Sequence, residues 1–176
     1  LPYAKVAIVA DQDARRLTSI VNQHSVKTTT QAEDVFRSDV DGVVIATPVR
    51  THYQLAKLAL LYGKHVLVEK PLTANVVEAE ELVALAKEQE RILMVGHTFE
   101  YSPAVNELRK LVQSGDLGKI YCIEAERLNL GLFRNDINVI WDLAPHDVSI
   151  LLYLLGKKPE KMKVQAHAHL QRDIYD

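Results

Sequence analysis

The chain has 176 residues, 48% hydrophobic and 25% charged, the balance of a globular chain of one or two domains with a sizeable core. A formal net charge of −2 gives no electrostatic ground for a nucleic-acid or anionic-membrane partner. One cysteine, Cys122, excludes an internal disulfide and fits a reducing, cytoplasmic setting; no apolar run approaches the roughly 18 residues that span a bilayer, and no secretory signal pattern is visible.

The chain opens Leu1-Pro2-Tyr3 and reaches strand-like sequence almost at once, so it reads as starting inside a larger pattern. Val6-Ala7-Ile8-Val9-Ala10 is an unbroken apolar run ending in Asp11, the signature of a strand buried on both faces. Helical spacing of Ala14, Leu17 and Val21 predicts a helix over 12–22, a short edge strand is expected over 26–28, and Thr30-Gln31-Ala32-Glu33 has the form of a capping box opening a helix to Arg37. Gly42-Val43-Val44-Ile45-Ala46-Thr47-Pro48 reads as a second buried strand stopped by proline, followed by a helix over 51–62 that Gly63 ends. His65-Val66-Leu67-Val68 is a strand running into Glu69-Lys70-Pro71. A helix over 75–89 and a strand over 92–96 complete the alternation. Strand–helix alternation of this kind predicts an α/β fold with a doubly wound parallel sheet.

The pattern changes after residue 97. Ser102-Pro103 predicts an N-cap with proline at the first helical position, and a helix to about residue 113. Residues 119–128 and 161–170 alternate polar with apolar, so each is expected to be a strand with one wet face, the start of an antiparallel sheet. Cys122 falls in the first of these and is expected to be a buried structural thiol. Between them a helix is expected over 142–155, closed by Gly156. The division that follows is a partial dinucleotide-binding domain over 1–97 and a partial α+β domain over 98–176.

Four stretches carry chemistry. Asp11, ending the first strand, stands where a dinucleotide fold places an acid against the adenosine ribose hydroxyls; it would repel a 2′-phosphate and favour NAD, while Arg15 and Arg16 keep NADP open. The plainer reading makes Asp11 an N-cap. The G-x-G-x-x-G loop of such folds has no match in this sequence, and the strand before it would be central, so its neighbours are expected to lack a partner. Thr47-Pro48-Val49-Arg50-Thr51-His52 lies at a strand end and helix start, where free amides suit a ligand; His52 is either a solvated helix residue or a contact. Glu69-Lys70-Pro71 is either a surface turn or a place where an ammonium lowers the pKa of a substrate hydroxyl. In Trp141-Asp142-Leu143-Ala144-Pro145-His146-Asp147 the acid and the imidazole are four apart, on one helical face, where a carboxylate can orient a general base; Asp142 could equally be a helix cap. No histidine and cysteine share metal-ligand spacing, so no metal is expected.

Together these stretches resemble the Gfo/Idh/MocA family of oxidoreductases. The resemblance rests on Val44-Ile45-Ala46-Thr47-Pro48 with His52, on Gly63-Lys64-His65-Val66-Leu67-Val68-Glu69-Lys70-Pro71-Leu72, on Met94-Val95-Gly96-His97, and on Trp141-Asp142 with His146. It implies a Rossmann domain on NAD(P), a C-terminal domain with an open antiparallel sheet, and hydride transfer at a secondary hydroxyl carbon of a sugar, polyol or sugar nucleotide. By resemblance Lys70 is the catalytic lysine, with a Lys70–Pro71 bond that is often cis. His146 is the acid/base, Asp142 orients substrate and base, and Asp11, Ala46, Thr47, Pro48, His52, Glu69, Lys70 and Pro71 line the cofactor. Residues 127–129 and 134–136 look similar to sugar-nucleotide 3-dehydrogenases. A homo-oligomer is the family expectation. Val49 departs from the asparagine many members carry, and the glycine-rich turn and most of the C-terminal sheet have no counterpart here. The competing reading is a non-catalytic nucleotide- or sugar-binding relative, or an inactive fragment.

Overall fold

The computed structural model describes residues 3–128, 137–170, 172, 174 and 175. Its elements run β1 (Ile8–Ala10), α1 (Ala14–Gln23), β2 (Lys27–Thr29), α2 (Ala32–Arg37), β3 (Gly42–Ile45), α3 (Val49–Leu61), β4 (His65–Val68), α4 (Val76–Glu88), β5 (Leu93–Val95), a 3₁₀ turn (Thr98–Tyr101), α5 (Pro103–Ser114) and α6 (Val139–Leu155). The three strand pairs among the described residues are parallel. β1 pairs with β2, and β4 lies between β3 and β5. Among the described residues no strand joins β1 to β3. The strands therefore form two parallel sheets, β1–β2 and β3–β4–β5, with no strand among the described residues between them. This is the outcome expected for a sequence with no glycine-rich first strand.

The core forms where the pleat of β3–β4 meets α3 and α4. Val66 and Val68 on β4 and Ile45 on β3 point to the side on which Ala56, Ala59 and Leu60 of α3 and Leu82 and Ala86 of α4 are packed, with Phe36 of α2 closing one end. Small Ala56 and Ala59 let α3 sit close to the sheet, and neither has any exposed surface. The opposite row of side chains is Val44, Leu67 and Met94, and Val44 is 68% exposed. The expectation that the first two apolar runs are buried on both faces is therefore corrected. β1 is only half-buried and β3 is covered on one face, because α3 and α4 pack on the other side of its pleat.

Caps set the helix boundaries. Asp13 caps α1 by accepting from the Arg15 amide, and Asn75 caps α4 by accepting from the Glu78 amide. Gly63, φ +70°, ends α3, and Arg91 Nε closes its carbonyl at 2.6 Å. The capping box expected at Thr30 is not formed. The helix begins after Gln31, the Thr29 hydroxyl takes the Gln31 amide, and Glu33 pairs instead with Arg37 one turn on.

The second half departs further. Residues 119–128 and 161–170 form no strand, and no antiparallel pairing occurs among the described residues. Alternation specifies which face of a strand would be buried, but a strand also needs a ladder with a neighbouring strand, and among the described residues neither segment takes part in one. Cys122 is accordingly exposed rather than buried, as are Tyr121, Ile123, Met162 and Val164. α5 and α6 pack on each other through Tyr153, whose hydroxyl donates to Asn106 Oδ1 at 2.6 Å while Arg109 lies 3.9 Å over its ring.

Candidate active site

The β3–β4 ladder ends where the Glu69 amide donates to the Ile45 carbonyl at 2.9 Å. The chain then turns through Lys70-Pro71, and that peptide bond is cis. Glu69 lays its carboxylate over the end of β5. A Cβ added at Gly96 would stand 3.2 Å from Glu69 Oε2, so glycine there makes room for the acid.

Lys70 reaches across to α6. Its Nζ donates to the Asp142 carbonyl at 2.7 Å and to Asp142 Oδ1 at 2.9 Å. The two side chains are only 18% and 25% exposed, so the pair is partly shielded from water. This contact joins two residues 72 positions apart. α6 begins earlier than the sequence implies: Asn138 is the cap, accepting from the Trp141 amide at 3.0 Å, and Asp142 lies in the first turn instead of capping it. Pro145 therefore falls inside the helix, where it withdraws the donor that the Trp141 carbonyl would use.

His146 follows one turn after Asp142. Its Nδ1 is buried and has no hydrogen-bond partner among the described residues, and the Asp142 carboxylate is engaged by Lys70. In this structure the Asp142 carboxylate is therefore bonded to Lys70 and not to the imidazole Nδ1. The His146 ring is held by packing, with Phe99 edge-on to it at 4.9 Å and 78°. Arg127 lies 5.2 Å over the same Phe99 ring and forms a two-pronged pair with Asp147, at 2.7 and 2.9 Å. Burial, first, and then the positive charges of Lys70 and Arg127 hold His146 below the usual histidine value of 6.5, against smaller opposing effects of Asp147 and Asp142. The lowering favours the neutral ring, the form a general base requires.

At the end of β3, Pro48 gives α3 no side-chain cap, so its first amides face the carboxyl edge of the sheet. The Thr51 hydroxyl ties back to Thr47 and to the Pro48 carbonyl. His52 is neither solvated nor turned to that edge. It is 1% exposed, with Nδ1 2.9 Å from the Pro71 carbonyl and Nε2 2.8 Å from the Thr47 carbonyl. Both ring nitrogens face backbone carbonyls, so in this structure the ring bridges the two strand ends.

Asp11 follows β1 on the other sheet. It is not the cap of α1, which Asp13 supplies; Asp11 Oδ1 accepts from the Asp13 amide at 2.8 Å, and Arg16 approaches Asp11 Oδ2 at 3.5 Å. Arg15 is turned away onto Asp13. Residues 129 and 134–136 of the sugar-nucleotide resemblance lie outside the described residues. The structure thus brings Lys70, Asp142 and His146 to one place and gathers Thr47, Pro48, His52 and Pro71 around a second. Phe99, Arg127 and Asp147 join the first group without having been singled out for it. Only Asp147, adjacent to His146, carried any local signal, since Phe99 and Arg127 come from distant segments.

Residues 1–97 match the family model described as the oxidoreductase family with an NAD-binding Rossmann fold, and residues 105–176 match the Gfo/Idh/MocA C-terminal domain. The chain belongs to the Gfo/Idh/MocA oxidoreductase family. It is 36% identical over 157 residues to a UDP-N-acetylglucosamine 3-dehydrogenase of Acidithiobacillus ferrooxidans, covering 89% of this chain and 49% of the relative. It is 28% identical to an inositol 2-dehydrogenase of Corynebacterium glutamicum, covering 96% of this chain and 53% of that one. Among solved structures it resembles GenD2 from gentamicin A biosynthesis, in complex with NAD, with a TM-score of 0.79, 26% identity, and coverage of 88% of this chain and 47% of that one. The chain spans about half the length of the curated relatives it matches. Among the described residues no helix is long and apolar enough to cross a membrane.

Proposed function

We propose that the protein is an NAD-dependent dehydrogenase acting on a secondary hydroxyl carbon of a sugar, polyol or sugar nucleotide. The observation that carries the reading is the Lys70 ammonium fixed on Asp142, with the His146 imidazole one helical turn away, its Nδ1 buried. The relatives supply the substrate class: one is named for a UDP-sugar and another for inositol. The family's Rossmann model and the NAD-bound neighbour support NAD as cofactor.

The residues present fit such a cofactor at its two ends. Asp11, at the end of β1, has Oδ2 approached only by Arg16 at 3.5 Å among the contacts above, and would accept from ribose hydroxyls. Ala46, Thr47 and Pro48, with the uncapped start of α3, and Glu69, Lys70 and Pro71 would line the carboxyl edge. Bound NAD supplies the hydride acceptor. His146 takes the hydroxyl proton on a ring nitrogen as the carbon loses hydride, and Lys70 stabilises the negative charge developing on the substrate oxygen. Asp142 holds the ammonium in place and balances its charge. Arg16 beside Asp11 leaves NADP as a weaker second cofactor. A domain boundary near residue 98, a cytoplasmic setting and a homo-oligomer complete the reading.

The test is absorbance of the reduced nicotinamide when the natural gene product carrying this sequence is incubated with NAD and a panel of inositols, hexoses and UDP-sugars. Reduction with at least one of them is expected. Saturable NADH binding with no reduction across the panel would favour the non-catalytic binding relative instead.

A further inference from the structure

We infer that His52 is a positioning residue for catalysis: its imidazole cross-links the two strand ends that flank the reaction and sets the aim of Lys70. The inference rests on the proposal that Lys70 is catalytic. β3 and β4 are joined by ladder hydrogen bonds only as far as Glu69 N to Ile45 O. Beyond that rung the ladder cannot continue normally, because Pro48 and Pro71 have no N–H to give. Two carbonyls, those of Thr47 and Pro71, are left to find donors next to a fully buried side chain. His52 rises from the first turns of α3 into this gap and contacts both, at 2.8 and 2.9 Å.

A carbonyl only accepts, so the ring N–H satisfies the carbonyl it faces and the other ring nitrogen packs against the second at contact distance. The Pro71 contact lies one residue from Lys70, on the far side of the peptide bond that orients its side chain. The Thr47 contact lies at the edge where α3 begins. A buried, two-ended bridge of this kind transmits the position of one strand end to the other, which a solvated helix residue would not do. Lys70 meets Asp142 at 2.7 and 2.9 Å, distances that tolerate little drift of its backbone.

The two ends of the ring can be tested separately. An asparagine amide reaches about as far as Nδ1, and a glutamine amide about as far as Nε2. His52→Asn therefore keeps a donor for Pro71, and His52→Gln keeps one for Thr47. Each variant gives up one of the two contacts, so a merely structural role predicts equal losses. Positioning of Lys70 predicts asymmetry: His52→Gln loses about 10²-fold in kcat, the scale of a misplaced catalytic group. His52→Asn loses less than about tenfold, and NADH dissociation constants stay within about threefold in both. Equal kcat for the two variants, or the larger loss in His52→Asn, would overturn the inference. Lys70→Ala is measured alongside. If it keeps full turnover, the catalytic reading itself has failed, an outcome separable from failure of the His52 bridge. Should either variant not fold, proton–nitrogen correlation spectra of the unaltered protein decide. A ring proton on Nδ1, facing the Pro71 carbonyl beside Lys70, is expected, and a ring whose N–H sits on Nε2 alone would overturn the inference.

Discussion

The ion pair between Lys70 and Asp142 carries a measurable coupling, and a double-mutant cycle isolates it. The perturbations are Lys70→Met, Asp142→Asn and the two together. Nζ donates twice to Asp142, once to the main-chain carbonyl and once to the carboxylate, and both side chains are at least three-quarters buried. Asp142→Asn removes the charge but keeps the carbonyl contact, so the quantity at stake is one charge-assisted hydrogen bond in a shielded setting, about 1.5–3 kcal/mol. Exposed pairs give about 1 kcal/mol or less, and a fully buried pair broken on one side costs about 3–5 kcal/mol, so the partly covered geometry belongs between these limits. A loss of about 2 kcal/mol lowers the melting temperature of a chain of this size by about 4–8 °C. The assay is urea unfolding followed by circular dichroism and by Trp141 fluorescence, with coincident transitions required before free energies are compared. The expected result is that the double variant is less destabilised than the two single losses combined, by about 1.5 kcal/mol or more. Additivity within about 0.5 kcal/mol would mean the two residues do not interact, and would refute the site geometry.

Other outcomes follow from the same structure. Because burial, Lys70 and Arg127 hold His146 below 6.5, the acid limb of a kcat/KM profile for alcohol oxidation lies below that value. Arg127→Met removes a depressing charge and unpairs Asp147, so the limb moves to higher pH; no movement, or movement downward, contradicts the assignment of His146 as base. The same lowering has a stability counterpart: the neutral ring's contribution is complete above 6.5 and is lost as pH falls through the depressed folded value. Leu82→Ala empties a fully buried position between α4 and the sheet and costs about 2–5 kcal/mol in chemical denaturation; a cost under about 1 kcal/mol would deny the packing described. Asp11→Ser removes the carboxylate beside Arg16, so the ratio of NADPH to NADH affinity rises at least several-fold in a fluorescence titration, and an unchanged ratio excludes Asp11 from the ribose site.

The parts of this fold that were legible in the sequence are those set by local rules. The 3.6-residue spacing of Ala14, Leu17 and Val21, the glycine after Leu61-Tyr62, and the Ser102-Pro103 start each locate a helix end to within a residue or two. The juxtaposition of Lys70 with the 142–146 turn was legible only through resemblance, since nothing local links residues 72 apart. What escaped needed tertiary knowledge. Asp11 and Asp13 are both plausible caps in Asp-Gln-Asp, and only the end point of β1 decides that Asp13 caps. His52 looks like a solvated residue in a helical wheel, yet the β4 turn covers it. Alternation at 119–128 and 161–170 describes a face without providing the neighbouring strand, so the prediction of sheet failed and Cys122 stayed exposed. Phe99 and Arg127 meet His146 from segments that share no sequence pattern with it.

The claim on which the account turns is that Lys70 acts on the substrate oxygen and does not merely brace α6. Turnover of Lys70→Ala, measured with the substrate found in the panel and at saturating NAD, tests it most directly, with NADH binding followed by energy transfer from Trp141. A fall in kcat of about 10²–10³-fold is expected, the scale of losing a donor to a developing oxyanion, while the NADH dissociation constant stays within about threefold. Turnover equal to that of the unaltered protein, with cofactor binding intact, would contradict the mechanism.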